Sequence, residues 1–387
     1  MRLVPPLLAV LVAATVLATG CGKENSNPIE AKLKDETAPR TVLGFPALAT
    51  KNTTRVGGED EIADAAAVAH AVYPGEGTRR PELLTLVDSG DWQSGIAAAA
   101  LMAPPLRAPV LLTNGPDVPD ATSEAVKTLA PTGSEAAGGA QVLRIGKAGA
   151  PGGVRATSIA AGTAAEEAAS IDRFNTEAAG QPSENVMIVS ADDPQYAMPA
   201  AAWAAKSGDA VLFVGRDTIP AATEKAIREH QQPGIYVLGP EQVVSKKVQR
   251  ALGKFGQVKR IKAQTPVEFA VAFARYSDGS FGWGVTDPGH GMVFANAGRT
   301  QDAAAGAPLS GTGKYGPLLL LDSPAGVPAA VQEYLLDIQP GYRFDPVRGV
   351  YNHAWLMGDE SAISLATQAK IDALEEIVPV RRQGKSS

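Results

Sequence analysis

One stretch of this chain is written three times over, and that limits the fold more than any single motif does. The segment Ala108-Pro109-Val110-Leu111-Leu112-Thr113-Asn114-Gly115-Pro116-Asp117-Val118-Pro119 aligns without a gap on Asp209-Ala210-Val211-Leu212-Phe213-Val214-Gly215-Arg216-Asp217-Thr218-Ile219-Pro220. A third version begins Gly316-Pro317-Leu318-Leu319-Leu320-Leu321-Asp322 and reaches its proline, Pro328, one residue late. Each is an apolar run, a polar turn and a proline opening an amphipathic helix, where the fixed φ of proline suits the first helical position. These helices are expected to begin near Ala121, Ala221 and Ala329.

Other landmarks recur in the same order. Upstream, a strand with a polar end leads to an Ala-rich helix: Leu83–Asp88 into Ser94–Met102, Asn185–Ser190 into Tyr196–Ala205, and Met292–Asn296 into Asp302–Ala307. Downstream, a strand closes on glycine: Val142–Gly146, Ile235–Gly239 and Ala354–Gly358. In the second and third copies this glycine leads through Glu241–Ser245 and Glu360–Ser364 to a further helix, whereas the first runs into Lys147–Gly153 and its last helix looks lost or shortened. Any α/β protein repeats strand–helix units, but shared order and a shared proline offset point to one duplicated design with a period of roughly one hundred residues, the size of a small domain. Unbroken apolar strands alternating with helices predict parallel sheets covered on both faces. The units are placed at 46–155, 156–258 and 259–380, with a tail at 381–387.

The first residues speak to compartment. Arg2 is a positive start, Leu7–Leu17 is almost wholly apolar, and Ala18-Thr19-Gly20-Cys21 closes the run. That is the layout of a secretory signal peptide, and the run is shorter than the roughly 20 residues a membrane span needs. Cys21 is the only cysteine, so no internal disulfide is available. Small residues before it match a lipobox, in which the sulfur takes a lipid acyl group such as palmitate; the alternative is an ordinary signal peptide cut nearby. Segment 1–21 is thus read as a lipoprotein signal, and the polar stretch 22–45 as a tether. The chain is then expected at the membrane, lipid-anchored, on the extracytoplasmic side facing the wall. A net charge of −6 argues against a nucleic-acid partner, which calls for a basic surface.

The triplicated order resembles the cell-wall-binding repeat of the second type, a family whose repeats usually occur in threes in exported bacterial proteins. Its opening Arg is matched by Arg55 and Arg260 and is absent near Ile159 in the second copy; its Gly is matched by Gly58 and Gly162 and replaced by Ala263. A second Arg usual three residues later is replaced by Glu61, Ala165 and Pro266. Its Pro-Asp-Ala-Leu-like helix start keeps its acid as Asp302, with Ser94 and Tyr196 at the corresponding places. The resemblance spans about Thr50 to Val378. It implies three tandem Rossmann-like units with pseudo-threefold symmetry, and non-covalent attachment to a cell-wall polysaccharide, an anionic one where basic residues meet it. Three weak sites on one rigid body raise avidity without a new kind of contact.

No catalytic constellation stands out, and neither a cofactor nor a metal is called for. A nucleophile elbow needs strand, turn, then helix; Ser310-Gly311-Thr312-Gly313 precedes a strand and reads as a loop. Gly311-Thr312-Gly313-Lys314 fails as a phosphate loop because Pro308 stands where its first Gly should be and Tyr315 where Ser or Thr should be. His70, His230, His290 and His353 are scattered, none at metal-ligand spacing from another. Open α/β sheets bind ligands beyond the C-terminal ends of their strands, where Asp88, Asp91, Asp192, Asp193, Asp302 and Asp322 fall. Helix capping is the plainer role for these acids. Trp92 and Tyr196 follow an acidic turn at like positions and could stack on sugars or pack between units. The candidate glycan contacts are therefore Arg55, Trp92, Asp193, Tyr196, Arg216, Arg299 and Asp302. Segments around 276–290 and 341–350 interrupt the repeat. A non-catalytic wall-binding lipoprotein is the first reading; a lipid-anchored solute-binding receptor of a transport system is the alternative, though such receptors use two lobes and a hinge.

Overall fold

The computed structural model describes residues 49–74, 80–312 and 316–380. The signal segment, Cys21, the tether and the tail lie outside the described residues, as do Gly313, Lys314 and Tyr315. The described residues belong to one compact unit. No helix among the described residues is long and apolar enough to cross a membrane.

The first copy runs β1 (Thr53–Val56), α1 (Glu61–Val72), β2 (Leu84–Asp88), α2 (Trp92–Ala98, prolonged by a 3-10 turn to Met102), β3 (Val110–Thr113), α3 (Asp120–Leu129) and β4 (Val142–Ile145). The second runs β5 (Ala156–Ile159), α4 (Ala164–Ala179), β6 (Asn185–Ser190), α5 (Pro194–Ser207), β7 (Ala210–Val214), α6 (Ala221–Glu229), β8 (Gly234–Leu238) and α7 (Lys246–Leu252). The third runs β9 (Gln257–Ile261), α8 (Pro266–Arg275), β10 (Gly291–Asn296), α9 (Asp302–Gly311), β11 (Leu318–Leu321), α10 (Ala329–Asp337), the short β12 (Gly341–Tyr342), β13 (His353–Met357), α11 (Leu365–Leu374) and β14 (Val378–Pro379). The first copy has no helix between β4 and β5, as Lys147–Gly153 suggested. Ser310 and Gly311 are the last residues of α9 rather than a loop, because the buried Ala-rich helix continues past Pro308.

Local chemistry starts the helices where they start. Thr163 with Glu166, and Thr265 with Glu268, form reciprocal capping boxes on α4 and α8. Pro119, Pro220 and Pro328 occupy the cap position itself, one residue before α3, α6 and α10. Thr122 and Thr223, each three residues past its proline, donate to the carbonyls of Leu112 and Phe213 at 2.5 and 2.6 Å, fastening helix to preceding strand. Val331 fills that place in the third copy.

Three four-stranded parallel sheets result, ordered β3-β2-β4-β5, β7-β6-β8-β9 and β11-β10-β13-β1. In each, the second strand lies beside the first, the first beside the third, and the fourth is the opening strand of the next copy. For the third sheet that copy is the first: β1 pairs with β13 in the register Thr53↔Ala354 to Val56↔Met357. The helix after each opening strand then leaves for the following sheet, so α1 packs on β3, α4 on β7 and α8 on β11. Strand and helix of one segment thus tie consecutive sheets together, and β1 with α1 closes the cycle without a covalent link between the copies at its ends.

The Ala-rich helices α2, α5 and α9 pack on one another at the middle. Small side chains fill that contact: Ala97–Ala100, Ala200–Ala202 and Ala303–Ala305 are all buried, and alanine lets helix axes come close while keeping helix propensity. At the end of α9, a Cβ on Gly311 would sit 2.7 Å from the Ala205 carbonyl oxygen.

The insertion at 276–290 is a clasp. Phe281 is buried and stacks on Tyr236 of β8 at 3.7 Å between ring centroids. Asp278 accepts the hydroxyls of Tyr236 (2.8 Å) and Tyr276 (3.0 Å) and pairs with Lys259 of β9 at 2.6 Å. Trp203 of α5 meets Phe281 and Trp283, with the Lys206 ammonium over both indoles. Trp203 is buried, while Trp355 is only half-buried.

Candidate functional site: three crevices at the switch points

In each sheet the chain reverses direction of progress between its first and third strands, the switch point beyond whose C-terminal strand ends α/β proteins place ligands. At β2/β4, β6/β8 and β10/β13 equivalent positions carry different chemistry.

One layer is shared. Gln93, Gln195 and Gln301 each stand just before Ser94, Tyr196 and Asp302. Gln93 Nε2 donates to the Ala191 carbonyl at 3.2 Å, Gln195 Nε2 to that of Ala297 at 3.3 Å, and Gln301 Nε2 to that of Ser89 at 3.0 Å. Ser89, Ala191 and Ala297 are themselves equivalent, so each copy hydrogen-bonds the next around a closed cycle. Sequence reasoning missed this belt, although its signal, a glutamine at one offset in every copy, was in plain view. Gln301 is the most committed member: it is buried, also donates to the Asp88 carbonyl (3.2 Å), and its backbone N–H donates to Glu61 (3.0 Å).

A second layer differs from copy to copy. The fourth residue of α1, α4 and α8 is Asp64, Glu167 or Phe269, and it faces Asp302, Ser94 or Tyr196. In the first sheet Ser94 Oγ donates to Glu167 at 2.6 Å, and the Gly162 N–H donates to its other oxygen at 2.8 Å. In the second, the Tyr196 and Phe269 rings pack at 5.7 Å and the Tyr196 hydroxyl donates to the Gln264 carbonyl. In the third, Arg299 bridges two wholly buried carboxylates, donating from Nη2 to Asp64 and from Nε to Asp302 at 2.8 Å. The Gly58 N–H also donates to Asp64. Burial raises both acids above their ordinary value, Asp302 furthest, where the charge of Asp64 adds to it. A single guanidinium faces the two carboxyls.

The residues singled out from sequence fall into two groups. Arg55 is 2% exposed and is no glycan contact: its guanidinium donates to the carbonyls of Gly358 (3.0 Å), Asp359 (2.7 Å) and Ile363 (2.6 Å) and to Gln368 of α11. Arg260 does the same one sheet earlier, to the carbonyls of Gly239 and Val244 (both 2.7 Å) and to Gln249 of α7. The family's opening Arg is thus a clamp on the loop between the third strand and the last helix. In the first sheet both Arg and helix are gone. Asp302 is fully buried, Tyr196 is buried with its hydroxyl engaged, and Arg299, with 19% of its side chain exposed, is neutralised by its two acids; none of the three presents a free charge.

Trp92, Asp193 and Arg216 remain at the surface or half-buried. Trp92 meets Phe213 edge-on at 5.8 Å, Asp193 accepts from Ser190 Oγ at 2.9 Å, and Arg216 is exposed beside Asp217. Of the acids assigned to capping, Asp91 does cap α2 through the Ser94 N–H (3.0 Å). Asp88 instead holds the N–H groups of Gly90 and Gly115, and Asp193 makes no cap bond. Among the histidines, His230 is buried against Asp172 at 2.8 Å and His353 bonds Thr54 at 3.0 Å; both roles are structural.

Residues 159–249 match the family model for cell wall binding domain 2. Over that segment the chain is similar to cell wall binding domain 2. Among solved structures, Cwp6 from Clostridium difficile superposes with a TM-score of 0.69 at 16% identity, covering 85% of this chain and 50% of that one. Cwp8 from Clostridium difficile gives 0.64 at 18% identity, covering 84% and 52%. At such identities the likeness is one of fold, and this chain spans about half the length of either. No curated protein matches the sequence. The matched segment holds the second copy complete from the end of its opening strand to its last helix, where the order of landmarks is least interrupted.

Proposed function

We propose that this chain is a lipid-anchored protein that holds a cell-wall glycan non-covalently, without catalysis, through crevices repeated around its three sheets. The observation that carries the reading is the coincidence of the cell wall binding domain 2 match with a closed cycle of three like sheets. Three positionally equivalent strand-end surfaces of differing chemistry are then offered on one rigid body, which favours an extended polymer over a single small ligand. A solute receptor that closes two lobes about a hinge is poorly served by three sheets interlocked through shared segments.

The electrostatics favour a neutral glycan over an anionic one. Arg55 and Arg299 are engaged internally, while Asp192, Asp217 and Asp322 are exposed at the strand ends. Trp92, Asp193 and Arg216 are the contacts best placed to meet it. The lipid at Cys21 would hold the body between membrane and wall.

Retention of the protein, lacking residues 1–21, on purified walls tests the reading. Trp92→Ala together with Arg216→Ala should lower retention at least about tenfold, in line with the loss of two surface contacts; because Trp92 also packs on Phe213, retention is compared per folded molecule at a temperature where both proteins are native. Equal retention by the double variant, or none by the parent, overturns it. Loss of fatty-acid labelling in Cys21→Ser tests the anchor separately.

A further inference from the structure

We infer that the segment between α10 and β13, together with β14, is a membrane-contact surface that lays the third unit on an anionic lipid bilayer. The inference rests on the lipid-anchor reading for its context and on independent observations for its location.

Large exposed apolar side chains are not scattered over this protein. Eight occur among the described residues, and six of them are Phe344, Val347, Val350, Tyr351, Val378 and Val380. Phe344 is 88% and Val347 79% exposed, values at which a large apolar group meets almost nothing of its own chain. The six lie on two segments that meet: β12 and β14 pair through Tyr342↔Pro379, the Val380 N–H donates to the Tyr342 carbonyl at 2.8 Å, and Gly349 abuts Ile377. A contiguous exposed apolar patch marks an interaction surface.

The chemistry around the patch selects the partner. Arg343 and Arg348 are exposed and make no ion pair with a described residue, and Arg381-Arg382 follow Val380 in sequence. The one acid inside the segment, Asp345, is exposed and accepts the Val347 N–H at 3.0 Å, so the two arginines still leave the segment net positive. Local positive charge stands out in a chain of net charge −6. Aromatic and aliphatic tips flanked by arginine match a bilayer interface, where apolar groups enter among the acyl chains and guanidiniums stay with anionic headgroups.

The location agrees. The segment leads directly into His353, so it lies at the N-terminal edge of the third sheet. The described chain begins at this edge too: β1 runs parallel to β13, Asn52 accepts from the Ala354 N–H at 2.9 Å, and Lys51 pairs with Glu376. Whatever precedes residue 49 is covalently continuous with the edge that carries the patch. The switch-point crevices, at Asn296 and Gly358, open at the other end of the same strands. One edge would face lipid while the other faces the wall.

The test is sedimentation with vesicles of phosphatidylglycerol or of phosphatidylcholine alone, using the protein without residues 1–21, which cannot be acylated. The parent should bind phosphatidylglycerol vesicles, more weakly as salt rises, and phosphatidylcholine vesicles far less. Phe344→Ser with Val347→Ser should lower the partition coefficient at least about tenfold, and Arg343→Gln with Arg348→Gln about fivefold per arginine, with melting temperatures unchanged because these side chains are exposed. Absence of binding to phosphatidylglycerol, or binding that both double variants retain, overturns the proposal. So does sedimentation-velocity evidence of a micromolar dimer abolished by the serine pair, since a second copy would then be the occupant. Wall retention should be normal in these variants, and fatty-acid labelling normal when the same substitutions are made in the full chain, so failure here is separable from failure of the wall or anchor reading.

Discussion

At the scale of single side chains, a buried arginine and a buried pair of acids set most of what can be tested. The five hydrogen bonds of Arg55 go to three carbonyls and Gln368. Arg55→Ala strands those acceptors in the interior, and a buried polar group left without a partner costs about 1–3 kcal/mol. The expected loss in urea unfolding, summed over several stranded acceptors, is therefore at least about 3 kcal/mol. Arg55→Lys should recover little of it, since an ammonium cannot reproduce the planar fork. Binding by the fraction that remains folded should be intact. The Asp64–Arg299–Asp302 cluster makes a prediction of opposite character. Both carboxyls have folded-state pKa values raised by burial, so between the unfolded value and the folded one the native chain holds a proton that the unfolded chain has released. Stability contributed by that proton is complete at low pH and is lost as pH rises through the folded value. Asp302→Asn keeps the shape and an acceptor for Arg299 but has no proton to release. The difference between variant and parent stability should grow in the variant's favour from acid to neutral pH. A constant difference across that range would mean that Asp302 is charged in the native state.

Among elements, the glutamine belt and the shared opening strands carry the coupling between copies. Gln301→Met keeps the length of the side chain but removes both bonds to the Asp88 and Ser89 carbonyls. It should cost about 1–3 kcal/mol and speed hydrogen exchange in β1 and α1, the segment that closes the cycle. Gln93→Met, which removes one longer bond, should cost less and leave β1 protected. These elements also mark how far sequence could be read. The apolar cores Leu84–Asp88, Asn185–Ser190 and Gly291–Asn296 were legible because a parallel strand buried on both faces must be a continuous apolar run. The sheet to which β1, β5 and β9 belong was not, because strand pairing is settled by non-local partners that periodicity does not encode. Arg55 looked like a ligand contact for a related reason: a charged side chain is usually exposed, and only the carbonyls gathered at the end of β13 make its burial favourable. Asp302 was recognisable as an acid near a strand end, but its burial could not be read there, because its partner Asp64 sits 238 positions away in a different copy.

For the molecule as a whole, the decisive property is that sequence order and structural order disagree at one place only. Three sheets follow one plan, and the third borrows its fourth strand from the beginning of the chain. The strand order at the junction between third and first copies is that of the other two junctions, without the peptide connection. The ends of the body meet on one edge, as the contacts of Lys51 with Glu376 and of Asn52 with Asp372 show. A circular permutant joining residue 380 to residue 49 by a short flexible linker, and opened between Gly152 and Gly153, should therefore fold. That opening lies in the first copy's loop, where a Cβ on either glycine would meet no neighbour within 4 Å and where no helix separates β4 from β5. New termini at exposed, lightly bonded loops are the kind that domains tolerate. The permutant should melt in one transition within a few degrees of the parent, because every sheet keeps its four strands. Deleting residues 49–60 from the natural chain should do the reverse, stripping β1 and the Arg55 clamp from the third sheet and splitting the melt into an early transition for that sheet and a later one for the rest. If the permutant fails to fold while the truncated chain melts like the parent, the β1–β13 pairing does not close the cycle, and the three crevices cannot be treated as equivalent.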